Sequence, residues 1–286
     1  MKHASGSGRA VGIPREGSHD LKVNGCRLRL TRLEKVLWPR AKFTKGQMLA
    51  YYAGAAPRLL PHLEDRPLTL GRWPDGVEEP GFGQTECRGC PEWMRTVPVR
   101  IRSGKVRNHC VVDDLASLLW VANQNAIELH APLWRASDPE RPDALVLDLD
   151  PGPGASLLDC GRVALRLREA LAEKRLDCFP KSSGASGLHL HAPVSGASFA
   201  ETKSLARELA RRMADERPAD VTASSRAHRE GMVLVDWAQN DRSRTLIAPY
   251  SLRATSWPAI AAPLRWEQLT NALAMGIDKG LRTEIS

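Results

Sequence analysis

"ALVLDLDPGP", residues 144–153, is the stretch on which the fold turns. An apolar run ends in Asp148-Leu149-Asp150 and is stopped by Pro151, Gly152 and Pro153. In a strand, residues i and i+2 share a face, so Asp148 and Asp150 stand side by side. Adjacent carboxylates repel unless something cationic lies between them. The plain alternative is a pair of solvated turn acids before a Pro-Gly loop. The flanking segments decide between the two.

Downstream, "SLLDCGRVALRLREALAEKR" (156–175) has an amphipathic helical pattern, with Ser156 and Asp159 spaced as a capping box. "GLHLHAPV" (187–194) alternates as a strand does, and "SFAETKSLARELARRMADERP" (198–218) opens with a second box, Ser198 and Glu201. "GMVLVDW" (231–237) and "RTLIAPY" (244–250) read as strands. The order β-α-β-α-β-β predicts an α/β fold, a mixed sheet covered by helices. Upstream, Thr44 is a candidate N-cap for a helix running toward Pro61, and "RPLTLGRW" (66–73) reads as a strand before a Pro/Gly-rich loop. "DDLASLLWVANQNAIELH" (113–130) has apolar residues at helical spacing through Ala126. Residues 1–20 read as a flexible tail, with residues 21–286 as one catalytic-size domain.

The 286 residues carry 41 Lys and Arg against 33 Asp and Glu, a net charge of +8. That excess suits a polyanionic partner, nucleic acid first among them. No apolar run has membrane-spanning length and no secretory leader pattern opens the sequence, so the expectation is a cytoplasmic, nucleoid-associated chain with no membrane partner. The six cysteines are accordingly expected as reduced thiols. Cys87-Arg-Gly-Cys90 has zinc-like spacing, but the nearest further ligands, His109 and Cys110, are adjacent and would face opposite ways in a strand.

A second apolar strand also ends in an acid, Asp236. Three carboxylates at one rim suit two divalent cations held roughly 3.5–4 Å apart, the arrangement used for in-line phosphoryl transfer. Between the acidic strands, "KSSGASGLHLHAPV" (181–194) places a Ser/Gly loop before His189, a loop whose backbone N–H groups can turn toward a phosphate. Arg229, Arg244 and Arg253 flank the third acid. Singly each is an ordinary surface charge; as a group they suit a triphosphate.

Together "ALVLDLDPGPGAS", "SSGASGLHLHAPV" and "VLVDWAQNDRSRTLIAPYSLRA" resemble the polymerase domain of bacterial ligase D, of the archaeo-eukaryotic primase superfamily. The likeness extends upstream through "LTRLEKVLWP" (30–39), "RLLPHLEDRPLTLGRWPDGV" (58–77), "PEWMRTVPV" (91–99) and "VVDDLASLLWVANQNAIELHAPL" (111–133). The resemblance implies a primase-polymerase fold, with a catalytic RRM-like sheet flanked by helices. It also implies a template-dependent nucleotidyltransferase of non-homologous end joining that fills gaps and extends ends, preferring ribonucleotides and using two Mn2+ (or Mg2+) ions. Asp148, Asp150 and Asp236 match the metal ligands. His130, Ser183, His189, Arg229, Gln239 and Arg253 match nucleotide contacts. Lys35 and Lys45 match the grip on a 5′-phosphate across a gap, with Arg32 and Arg72 as neighbouring cations. Phe82 matches an aromatic that stacks on the template. The implied partners are gapped or broken DNA, nucleoside triphosphates, and Ku and a DNA ligase, for a monomer.

Departures from the family pattern are equally visible. Gly71, Thr85 and Ser186 stand where the family usually has lysines, Gly83 where a second stacking ring is usual, and Arg32 where an Asn is common. Losing a phosphate-bound lysine removes a charge-assisted hydrogen bond, on the order of 1.5–3 kcal/mol. The alternative expectation is therefore an end-binding module of the same fold, recognising a 5′-phosphate but polymerising weakly. A metal-dependent nuclease shares the carboxylate logic but leaves the upstream motifs unexplained.

Overall fold

The acidic stretch does form a strand, and it lies in the middle of a sheet. The computed structural model describes residues 11–101, 103–226 and 228–285. Its two main sheets are built from β1 (Thr69–Arg72), β2 (Phe82–Gln84), β3 (Ala126–Ala131), β4 (Ala144–Pro151), β5 (Phe179–Ser182), β6 (Leu188–Pro193), β7 (Val221–Thr222), β8 (Val233–Asp236) and β9 (Leu246–Ile247). The helices are α1 (Lys45–Leu63), α2 (Leu115–Asn123), α3 (Leu157–Glu173), α4 (Phe199–Glu216) and α5 (Trp266–Met275). One sheet has the order β5-β6-β4-β8-β7, the other β9-β3-β1-β2.

Side-chain alternation on β4 sorts the first sheet into two faces. Leu145, Leu147 and Leu149 pack with Leu188, Leu190, Val233 and Val235 beneath Leu167 of α3 and Leu209 of α4. Burying each such side chain contributes about 1.5–3 kcal/mol, so a one-residue slip of β4 would be prohibitive. The register that hides the leucines fixes Val146, Asp148 and Asp150 on the opposite face. The predicted capping boxes form at Ser156/Asp159 and Ser198/Glu201, and the predicted N-cap Thr44 forms a box with Gln47, each satisfying N–H groups at a helix start. A separate core gathers Trp38, Tyr52, Leu59 and Leu63 with Leu118, Leu119, Ile127 and Leu129, tying α1 and α2 to the second sheet.

Four expectations are corrected. The predicted helix over 113–130 stops at Asn123; Asn125 turns the chain at φ 59°, and β3 follows with Ile127 and Leu129 alternating against Glu128 and His130. A left-handed φ suits Asn, and period-2 alternation then overrides the helical spacing. "RTLIAPY" shrinks to Leu246–Ile247 and pairs with β3, so the strands divide between two sheets rather than forming one. The expected tail is partly structured: a strand begins at His19, Val11 and Ile13 pack on the core, and Gly17 accepts from the Leu33 N–H. Residues 1–10 lie outside the described residues. Finally, Cys87 and Cys110 are joined in a disulfide, not reduced, with Cα atoms 5.1 Å apart. The Cys87 N–H donates to Asn108 O at 2.7 Å, a long-range pairing that local spacing does not reveal. No helix among the described residues is long and apolar enough to cross a membrane.

Candidate active site

Strand register assembles the site. Asp148 of β4 lies opposite Asp236 of β8 on one side and His189 of β6 on the other, and His189 lies opposite Lys181 of β5. Cross-strand partners share a face, so Lys181, His189, Asp148 and Asp236 form one row across four strands, with Asp150 one step along β4. Gln239 Nε2 lies between the acids, donating to Asp148 Oδ2 at 3.2 Å and Asp236 Oδ2 at 3.4 Å. His189 Nε2 is 3.3 Å from Asp148 Oδ1.

The electrostatics are those of a site short of positive charge. Burial raises the Asp148 carboxyl above its ordinary range, and the charges of Asp150 and Asp236 push it further. Asp150 is raised by burial and Asp236, against the pull of Arg229 and Arg253. Burial holds His189 well below the usual imidazole range, with Lys181 and His191 adding to it, so its ring is neutral. Asp148 Oδ1 is buried without a hydrogen-bond partner. An orphaned, repelled carboxylate oxygen fits a cation ligand. Among the described residues no three His, Cys, Asp or Glu side chains are grouped as a ready-made metal cage. Gln239 instead bridges two of the acids, so Asp148, Asp150 and Asp236 could hold ions only with some side-chain closure.

The Ser/Gly loop is built differently from the expected nest. Its Gly184 N–H donates to Ser182 Oγ, while Ala185 and Gly187 donate to Ser183 Oγ at 3.2 and 3.1 Å. These N–H groups are therefore spent inside the loop, and its position is what matters. A Cβ on Gly187 would fall 2.3 Å from Leu149 O and 3.3 Å from Asp150 Oδ1, so only glycine lets the loop close onto the acidic strand. Gly184, at φ +73°, packs against Arg253 in the same way.

Two residues escaped the sequence reading. Glu128, buried on β3, is ion-paired with Arg253, whose Nε lies 3.0 Å away but out of hydrogen-bond line, and it accepts from His130 Nε2 at 2.8 Å and the Ala254 N–H at 3.0 Å. One carboxylate thus sets both the predicted sugar contact and a predicted phosphate contact. The i, i+2 pair Glu128/His130 was the available signal, hidden by the helix assignment. Lys181, fully buried, donates to Ile247 O at 3.2 Å; burial lowers its ammonium to about 7 against the pull of Asp148. Arg229 pulls on the Asp150 charge, and its carbonyl lies over Gly152, where a Cβ would come within 1.9 Å. Arg244 is exposed.

The predicted 5′-phosphate residues also come together. Lys45 is buried at the start of α1, and its backbone N–H donates to Lys35 O at 2.8 Å. Burial, helped by the charges of Arg32 and Lys35, lowers Lys45 to about 8. Arg32 sits at φ 53°, a left-handed position that explains why Asn suits it. Arg72 lies opposite Phe82 across β1 and β2, its guanidinium 5.5 Å from the ring centroid, and donates to Gln84 Oε1 at 2.6 Å. Phe82 is 49% exposed, an aromatic face open to a base.

One departure has a physical cause. A Cβ on Gly71 would lie 2.9 Å from both Glu128 Cβ and the Trp73 ring. Trp73 likewise covers Gly81, where a Cβ would be 2.3 Å away. Gly71→Lys alone is expected to cost about 1–3 kcal/mol of stability through overpacking, read as a lower urea midpoint at unchanged slope. An unchanged midpoint would show that Trp73 moves aside freely. Ser186 lines a cleft with Trp257 and Arg282, and nothing in the structure explains Thr85.

The model of the LigD primase-polymerase domain matches residues 44–278. The chain belongs to that family. The polymerase domain of ligase D from Mycobacterium tuberculosis, solved in complex with DNA, matches this LigD-type chain with a TM-score of 0.83 and 37% identity over 91% of each chain. The multifunctional non-homologous end joining protein LigD of Mycobacterium bovis is 39% identical over 85% of the chain, and the bifunctional LigD of Bacillus subtilis 29% identical over 86%. The chain spans 33% and 40% of those two relatives. The mixed α/β, primase-polymerase fold read from the sequence is therefore the fold of the family.

Proposed function

We propose that this LigD-type domain is a template-directed nucleotidyltransferase that adds nucleotides, ribonucleotides preferentially, at gaps or broken ends of DNA. The observation that carries the reading is the acid row: Asp148, Asp150 and Asp236 delivered to one face, with a buried Asp148 oxygen lacking a hydrogen-bond partner. Asp148, Asp150 and Asp236 would hold the two Mn2+ or Mg2+ ions. When bound, these supply Lewis-acid activation of the 3′-hydroxyl and charge neutralisation at the triphosphate. Ser183, His189, Arg229 and Arg253 then bind and orient the triphosphate, His130 the sugar, and Gln239 joins the two sets. Arg32, Lys35 and Lys45 hold a downstream 5′-phosphate, while Phe82 stacks on the template base. The product nick is a substrate for a DNA ligase, and Ku is the end-binding partner that the pathway supplies. The acid row is intact although the lysines at 71, 85 and 186 are missing, and those intact acids favour an enzyme over a bare end-binding module.

Template direction is the test. On a one-nucleotide gap with a 5′-phosphate, addition of the complementary nucleotide is expected to exceed each mismatch by at least about tenfold, about 1.4 kcal/mol. Equal addition of all four would sink the templated reading. Glu128→Gln keeps the shape of the side chain but removes the charge facing Arg253 and His130. The nucleotide KM is expected to rise about tenfold with kcat within about threefold, a loss of uniform binding. An unchanged KM would show that Glu128 positions neither group.

A further inference from the structure

On the far side of the acid row lies an open cleft of about 440 Å³ that the catalytic reading leaves unused. Its walls include Asp236, Trp237, Ser224, Arg207, Arg211 and Asp215. Arg207 and Arg211 are one turn apart on α4, where like charges repel. Among the described residues neither makes an ion pair, whereas Arg212, next to Arg211 in the sequence, is paired with Glu173 and Glu216. The Arg207 guanidinium lies 5.1 Å from the Trp237 ring centroid, and Trp237 is pinned by its Nε1–H donating to Ala223 O at 3.1 Å. Two exposed guanidinium groups, one braced on a fixed indole, thus face a groove that opens on a catalytic acid.

The strand order gives this groove a direction. β6 and β5, with the Ser/Gly loop, lie on one side of the β4–β8 pair, and β7 lies on the other. The cleft is on the β7 side, since Thr222 and Ser224 line it. In phosphoryl transfer the attacking and leaving oxygens are roughly in line, on opposite sides of the phosphorus. A triphosphate held on the β6 side therefore requires its attacking 3′-oxygen to arrive from the β7 side. Arginine forks and serine hydroxyls are the groups that position a sugar-phosphate backbone without reading bases.

We propose that the Arg207–Arg211–Trp237 cleft holds the phosphates of the strand whose 3′-hydroxyl is extended, and so places that hydroxyl at Asp236. This rests on the nucleotidyl-transfer reading, and its occupant is the sugar-phosphate backbone of a DNA primer strand. Arg207 and Arg211 are positioning residues.

The test compares fluorescence-anisotropy affinities for two DNAs with the same template and 5′-phosphorylated downstream strand, one with a primer strand and one without. The parent is expected to bind the primed DNA more tightly. Arg207→Ala with Arg211→Ala should weaken primed binding about tenfold at low salt and lower its salt slope by about 1.8, the value for two duplex phosphates. Binding to the unprimed DNA should stay unchanged. Arg207→Lys with Arg211→Lys should restore the slope, and Arg162→Ala with Arg166→Ala on α3, the same charge change elsewhere, should leave both affinities alone. Equal weakening on both DNAs, or no weakening on the primed one, overturns the cleft proposal. If the parent adds nucleotides while the double-alanine variant keeps its primer preference, the cleft proposal fails and the catalytic reading stands. If the parent adds none but its primer preference disappears in the variant, the cleft is supported and the catalytic reading falls.

Discussion

Asp148→Asn is expected to lower nucleotide addition by at least about 10³-fold, about 4 kcal/mol of lost transition-state stabilisation. The same change should leave the affinity for gapped DNA within about twofold, because Asp148 lies in the acid row and not with Arg32, Lys35 and Lys45, the cations proposed to hold the 5′-phosphate. It should also raise the melting temperature of the metal-free protein. Asp148 is buried, repelled by Asp150 and Asp236, and has one oxygen without a partner, so neutralising it relieves an unfavourable charge in the folded state. Added Mn2+ is expected to raise the melting temperature of the parent, since a ligand that binds only the folded state stabilises it, and to raise that of the variant much less. Equal Mn2+ shifts in both would show that the ions bind elsewhere.

Lys35→Ala with Lys45→Ala is the second large effect. Each lysine can supply a charge-assisted hydrogen bond on the order of 1.5–3 kcal/mol, so losing both should abolish a 5′-phosphate preference of up to about a hundredfold. Extension of a simple primer lacking any downstream strand should persist. The preference should also depend on pH. Lys45 is lowered to about 8 chiefly by burial, so it is cationic below that pH and increasingly neutral above it. Discrimination between phosphorylated and unphosphorylated gaps is accordingly expected to fall as pH rises past about 8. Equal loss on gapped and simple substrates would contradict the assignment of this pocket.

What could be read without coordinates follows from how local each signal is. Asp148 and Asp150 announce a shared face through period-2 alternation, and the capping boxes at Ser156 and Ser198 announce helix starts, because both involve residues within three positions. Asp236 needed a guess of adjacency, which the antiparallel pairing of β4 with β8 supplies. The Cys87–Cys110 bridge depends on a loop folding back to Asn108, 21 residues away in sequence, and nothing local announces it. Glu128 was missed because Leu115 to Ala126 carries a helical pattern that ends at an Asn in the left-handed region, and the strand beyond it was absorbed into the helix. The Ser/Gly loop was located, but its N–H groups turn inward onto Ser182 and Ser183, a choice that depends on side-chain rotation. The Arg207–Arg211 cleft has no motif; it exists because α4 packs against the edge of the sheet that carries Asp236.

The measurement that bears most directly on the acid row is single-turnover addition of one ribonucleotide across a one-nucleotide, 5′-phosphorylated gap with Mn2+, parent beside Asp148→Asn. Addition by the parent that disappears in the variant, with DNA binding retained, is the predicted result. Addition that survives Asp148→Asn, or a parent that binds the gap and adds nothing, would contradict the assignment of Asp148, Asp150 and Asp236 as a catalytic metal site.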